Sequence, residues 1–184
     1  MRLIFSALLY AALVFVANPV VADIATAIEL REGDMRKLNF HSEPKAVGDA
    51  VFVDEQGNGH QLADYQGQVI LVNFWATWCA PCRKEMPTLE ALQKALGGED
   101  FQVVTIATGR NVPAAVTRFF AEAGVENLPI LFDARSTLAR QMAVFGLPAT
   151  VLIDREGREI ARLTGDADWA SESALAVIGA VIDK

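Results

Sequence analysis

The chain has 184 residues, 52% of them hydrophobic, and a formal net charge of −7 at pH 7. That length holds one domain with little room for a second, and so apolar a composition excludes a disordered chain. The acidic balance argues against a nucleic-acid partner, which needs a basic patch, and the two cysteines, Cys79 and Cys82, are too few to staple a disulfide-rich scaffold.

The apolar excess is concentrated at the start. Of the first 22 residues 18 are apolar and Arg2 carries the only charge, with small residues at Val20 and Ala22 ahead of Asp23. This is the pattern of an export signal. Left uncleaved, Leu3 to Ala22 spans about 30 Å as a helix, enough for a membrane anchor. Either reading places the body outside the cytoplasm, where two cysteines at this spacing tend to pair. Residues 23 to about 48 have mixed charge and no strong period, with a short helix expected around Ile24, Ala27, Ile28 and Leu30 before Gly33. Ala50–Val53 reads as a short strand, followed by dense turn residues through Gly59. Val69–Trp75 is a nearly continuous apolar run, the mark of a strand buried on both faces.

After Cys82, Met86, Leu89, Leu92 and Leu96 recur at helical spacing until Gly97-Gly98 stops the run. Phe101–Ala107 is the next strand, and Pro113–Ala123 a helix with Val116, Phe119 and Phe120 on its apolar side. Ile130–Phe132 reads as a short strand and Ser136–Phe145 as a helix capped by Ser136. Ala149–Ile153 and Glu159–Leu163 flank a turn as a hairpin, and Ala170–Ile182 closes the chain as a helix. Strands alternating with helices, then a hairpin and a last helix, predict an α/β fold whose mixed central sheet is covered by helices on both faces.

Chemistry is concentrated at Trp78-Cys79-Ala80-Pro81-Cys82, between a central strand and a helix. A helix N-terminus carries unpaired N–H groups and the positive end of the macrodipole, so a thiolate at Cys79 is favoured there. Cys82 falls about one turn inside, and Pro81 occupies the helix start, where a missing N–H costs nothing. A purely structural bridge would close too small a loop to stabilise much. Zinc would need about four ligands, and the only other soft candidates, His41 and His60, lie upstream without metal-like spacing. No metal and no cofactor are expected. Redox exchange is the reading that the strand–CxxC–helix context favours. A copper-binding assembly factor is the competing class, weakened because no histidine follows His60. An oxidant differs from a reductant only in redox poise.

The stretch from Val72 to Pro87, with Trp75, Trp78, Cys79, Pro81, Cys82 and Glu85, resembles the active-site segment of TlpA/ResA-type periplasmic thioredoxins, and Phe145–Asp154 resembles their proline loop. The likeness implies a thioredoxin-like domain over residues 46–184, after a lead-in at 23–45 and the export or anchor segment at 1–22. It implies that Cys79 attacks and Cys82 resolves. Pro148 would be a cis proline facing the pair, with Leu147 before it offering main chain to an extended substrate. Glu85 matches an acidic residue that tunes the cysteines, where the bare sequence would allow a solvated helix glutamate. Cytoplasmic thioredoxins carry a buried acid where this chain has Asn73, which leaves Glu85 as the nearer carboxylate. Trp75 reads as packing and Trp78 as part of the surface a partner meets, while Arg83 and Lys84 read as a solvated helix face that also favours the thiolate. The implied activity is reduction of periplasmic protein disulfides, in cytochrome c maturation or cytochrome oxidase copper-site assembly. Electrons would come from a membrane thiol carrier, since the chain has no nucleotide-binding glycine motif.

Overall fold

A computed structural model describes residues 19–182 of the chain. The expected export or anchor segment, with its membrane association through residues 3–22, falls almost wholly outside them. Among the described residues no helix is long and apolar enough to cross a membrane.

The run Val69–Trp75 forms β4, and all seven residues are buried. Its side chains alternate between two cores. Val69, Leu71 and Trp75 join one cluster with Met86, Leu89 and Leu92 of α2 (Ala80–Leu96) and Val177 and Ile178 of α5 (Glu172–Ile182). Ile70, Val72 and Phe74 join the other, with Phe52, Leu62, Leu138 and Met142. A strand buried on both faces needs apolar residues at every position, and this one departs from that only at Asn73.

Around β4 the sheet has, among the described residues, eight strands, ordered β1-β8-β7-β4-β5-β6-β2-β3. These are β1 (Asn39–Ala46), β2 (Phe52–Asp54), β3 (Gly59–His60), β5 (Phe101–Thr108), β6 (Leu131–Asp133), β7 (Ala149–Ile153) and β8 (Arg158–Thr164). β4, β5 and β6 run parallel, linked by α2 and by α3 (Pro113–Ala123); the remaining pairings are antiparallel. Successive right-handed crossovers put α2 and α3 on the same face. There Trp75 stacks on Phe120 at 5.5 Å between ring centroids, with Phe119 tilted beside it. The short α4 (Thr137–Gln141) covers the opposite face through Leu138 and Ala139. The expected mixed sheet with helices on both faces is therefore what forms.

Three local outcomes differ from the sequence reading. The aperiodic segment 39–46 forms β1 and pairs with β8, with a break in register between Phe40 and Lys45. Upstream, the short helix expected around Ile24–Leu30 does form, as α1 (Pro19–Glu29), and lies against α5 with Ala27 in the core. Ser136 does not cap α4: it sits in the left-handed region at φ 52° and its side chain makes no capping bond. The buried Asp133 caps instead, its Oδ1 accepting from Thr137 N at 2.7 Å and its Oδ2 from Ala139 N at 2.9 Å. The helix stops at Gln141, short of the expected Phe145, and Ala143 turns left-handed. By contrast α2 ends where glycine was expected to stop it, and a side chain at Gly97 would run into the Gln93 carbonyl.

Candidate active site

The chain leaves β4 at Trp75, crosses Ala76, Thr77 and Trp78, and enters α2 with Cys79 as its N-cap. Cys79 Sγ accepts a hydrogen bond from Cys82 N at 3.3 Å, so the sulfur occupies the place of an N-cap oxygen. Cys79 and Cys82 are joined by a disulfide with Cα atoms 5.3 Å apart. Cys79 is 6% exposed and Cys82 fully buried, so Cys79 is the more accessible of the two. In the reduced state Cys79 Sγ would sit as a thiolate against the N–H groups and positive dipole end of a 17-residue helix. Pro81, at the second helical position, removes a donor that had no intrahelical partner.

Two further loops meet this one at the same end of the sheet. β7 runs antiparallel to β4 with Ala149 opposite Phe74, which brings Pro148 level with Trp75 and the start of the cysteine loop. The Leu147–Pro148 bond is cis, and Pro148 O accepts from Gly165 N at 3.0 Å. The loop after β5 is tied in by Asn111, whose Oδ1 accepts from both Thr77 N (2.9 Å) and Thr77 Oγ1 (3.0 Å). Trp78 is 67% exposed and Phe145, in the loop before Pro148, is 93% exposed.

Glu85 is 2% exposed, and the solvated helix glutamate that the bare sequence allowed is not what forms. Its Oε1 accepts from Asn73 Nδ2 at 2.9 Å; its Oε2 accepts from Ala167 N at 3.2 Å and from Trp169 Nε1 at 3.3 Å. Burial pushes its pKa up to about 7, against the pull of those three donors and with help from the charge of Asp166. Asn73 also donates to Thr150 Oγ1 at 2.9 Å, while its own Oδ1, buried, has no hydrogen-bond partner. A cleft of about 290 Å³ lined by Asp34, Lys84, Thr88, Asp166 and Asp168 has Glu85 in its wall.

Asn111, Thr150, Ala167 and Trp169 were not singled out in the sequence. Thr150 had a readable signal, as a polar residue inside the apolar run Ala149–Ile153, but Trp169 and Asn111 lie in loops without period. Cys79, Cys82, Pro81, Trp78, Leu147 and Pro148 all fall at this end of the sheet, and Glu85 lies three residues beyond Cys82 on α2.

A disulfide at the N-terminus of the helix that follows a central strand, on a thioredoxin-like fold, defines a thiol–disulfide oxidoreductase. The sequence profile of the Redoxin family matches residues 42–178, and the chain belongs to that family. It is 33% identical over 133 residues to the thiol–disulfide oxidoreductase ResA of Geobacillus thermodenitrificans, covering 69% of this chain and 75% of that one. A Chlorobium tepidum structure described as a candidate thiol:disulfide interchange protein DsbE superposes with a TM-score of 0.66 at 26% identity, over 76% of this chain and 98% of that one. The exposed lipoprotein thioredoxin Etrx1 of Streptococcus pneumoniae superposes at 0.59 with 25% identity, over 72% and 98%.

Proposed function

We propose that the protein reduces protein disulfides outside the cytoplasm, through Cys79 as attacking thiolate and Cys82 as resolving thiol. The observation that carries this reading is the placement of Cys79 Sγ at the N-cap of α2, less buried than Cys82. The Cys79 thiolate attacks one sulfur of the substrate disulfide and the other sulfur leaves as a thiolate, giving a mixed disulfide. Cys82 then loses its proton and attacks Cys79 Sγ, and the second substrate sulfur leaves as a thiolate. Two electrons pass to the substrate and the Cys79–Cys82 disulfide forms. Glu85 lies at i+3 from Cys82, on the same side of the helix. With a pKa near neutrality it suits the role of accepting the Cys82 proton and passing it to the cleft.

Leu147 offers main chain beside Pro148 to an extended substrate segment, and Trp78 supplies apolar contact. Return to the dithiol requires an electron donor, which we assign to a membrane thiol carrier. Residues 1–22 serve as export signal or anchor, followed by the lead-in at 23–45 and the catalytic domain at 46–184. The pathway that this reading favours is cytochrome c maturation or assembly of the cytochrome oxidase copper site. Support comes from the strand–CxxC–helix geometry, the apolar leading segment and the kinship with ResA.

The test is mixed-disulfide trapping. Cys82→Ser traps substrate on Cys79, and Cys79→Ser neither reduces insulin nor traps; trapping by Cys79→Ser would reverse the roles. Equilibration with glutathione completes it: a reductant is more reducing than about −240 mV, and a value near −120 mV would make the protein an oxidant instead.

A further inference from the structure

Between α2 and α3 lies a basin of about 200 Å³, lined by Thr77, Arg83, Ala115, Arg118, Phe119 and Glu122. It begins at the active-site loop, since Thr77 is two residues before Cys79. Phe119 forms part of its wall, with the Arg83 guanidinium carbon 5.3 Å from the ring centroid. Beyond this contact Arg83 has, among the described residues, no ion pair and no side-chain hydrogen bond, so its N–H groups can meet a ligand. Arg118 is exposed and, among the described residues, has no ion pair and no side-chain hydrogen bond. The same holds for Arg110, which the Asn111–Thr77 bonds bring close to the cysteine loop.

Cations on the other side of α2 are engaged differently. Lys84 pairs with Asp166 and Lys37 with Asp34, in the cleft that has Glu85 in its wall. Arg83, Arg118 and Arg110, none of them in an ion pair among the described residues, thus lie on the α3 side of the cysteine loop, on a chain whose net charge is −7. Free guanidiniums in a concave site bind carboxylates with directed, charge-assisted bonds. Glu122 at the far end makes no ion pair with either arginine and repels a second acid, so the site serves residues close to the exchanging sulfur.

We infer that this basin is a docking subsite for acidic side chains adjoining the cystine of a protein substrate. It fixes which way the substrate lies across Cys79, the acidic flank toward α3. The inference rests on the thiol–disulfide exchange proposed above.

The experiment compares two synthetic peptides with the same cystine, one followed by Glu-Glu and the other by Lys-Lys, as substrates for the reduced full chain. The Glu-Glu peptide is expected to react about tenfold faster at low ionic strength. The gap closes at about 1 M salt, where the Debye length is about 3 Å. In the Arg83→Gln/Arg118→Gln variant the ratio falls to within about twofold; because the readout is a ratio, any effect on the thiolate itself cancels. Equal rates for the two peptides, or a preference that survives the double substitution, would overturn the subsite. Uncharged 2-hydroxyethyl disulfide separates the two claims: failure to reduce it and both peptides removes the exchange reading and this inference with it, while its reduction without charge preference removes only the inference.

Discussion

Glu85 is the residue whose environment differs most from what its chemistry prefers. Its folded pKa of about 7 stands above the ordinary 4.5, because desolvation outweighs the donors from Asn73, Ala167 and Trp169. The folded state therefore holds a proton that the unfolded chain has released between those two values. The contribution of Glu85 to stability is full below pH 4.5 and is lost as pH rises through 7, on the order of 3 kcal/mol in total. Glu85→Gln should flatten that slope in denaturant titrations between pH 4.5 and 7.5, because glutamine keeps an acceptor for Ala167 and Trp169 and never ionises. If Glu85 also receives the Cys82 proton, the same substitution shifts the cysteine titration and slows resolution of the mixed disulfide. An unchanged thiol titration would remove Glu85 from the chemistry and leave it as a buried acid with three partners.

At the scale of elements, α4 shows how much a short helix depends on its cap. It has five residues and no side-chain bond from Ser136, so the two Asp133 bonds hold its first turn. Asp133→Ala should cost about 1–2 kcal/mol in thermal unfolding and loosen the chain that runs from α4 into the Pro148 loop. An unaltered midpoint would show that packing of Leu138 and Ala139 holds the helix without the cap. The elements that were legible in advance have dense local apolar patterns: β4 and β5 are buried on both faces, and α2 and α3 each turn one apolar stripe to the core. β1 was not legible: most of its residues are exposed, and it is placed by main-chain pairing to a strand more than a hundred residues away and by His41 bonding Glu159 at 2.7 Å. The site divides in the same way. The cysteine pair and Pro81 announce themselves within five residues, whereas the surroundings of Glu85 come from Asn73, Ala167 and Trp169, partners 12, 82 and 84 positions distant. No local pattern encodes such a meeting.

In the whole molecule, redox chemistry and anchorage occupy opposite ends of the sheet. At the end away from the cysteines Arg155 donates to Gly67 O (3.0 Å), Asp100 Oδ1 (2.7 Å) and Ile182 O (3.1 Å), joining the entry to β4, the entry to β5, the β7–β8 turn and the end of α5. Arg155→Ala should lower stability by about 1–3 kcal/mol while leaving exchange rates with small disulfides as they are. A slowed exchange would mean that the two ends communicate through β4. The margins of the sheet carry a further consequence for a protein that handles other polypeptides. Its outermost strands are β1, where Pro44 has no N–H to offer, Lys45 and Glu43 face outward and the register breaks, and β3, which is two residues long. Neither presents a bare ladder onto which an unfolded client could add a strand and seed aggregation. A client brought close for exchange can leave once the exchange is complete.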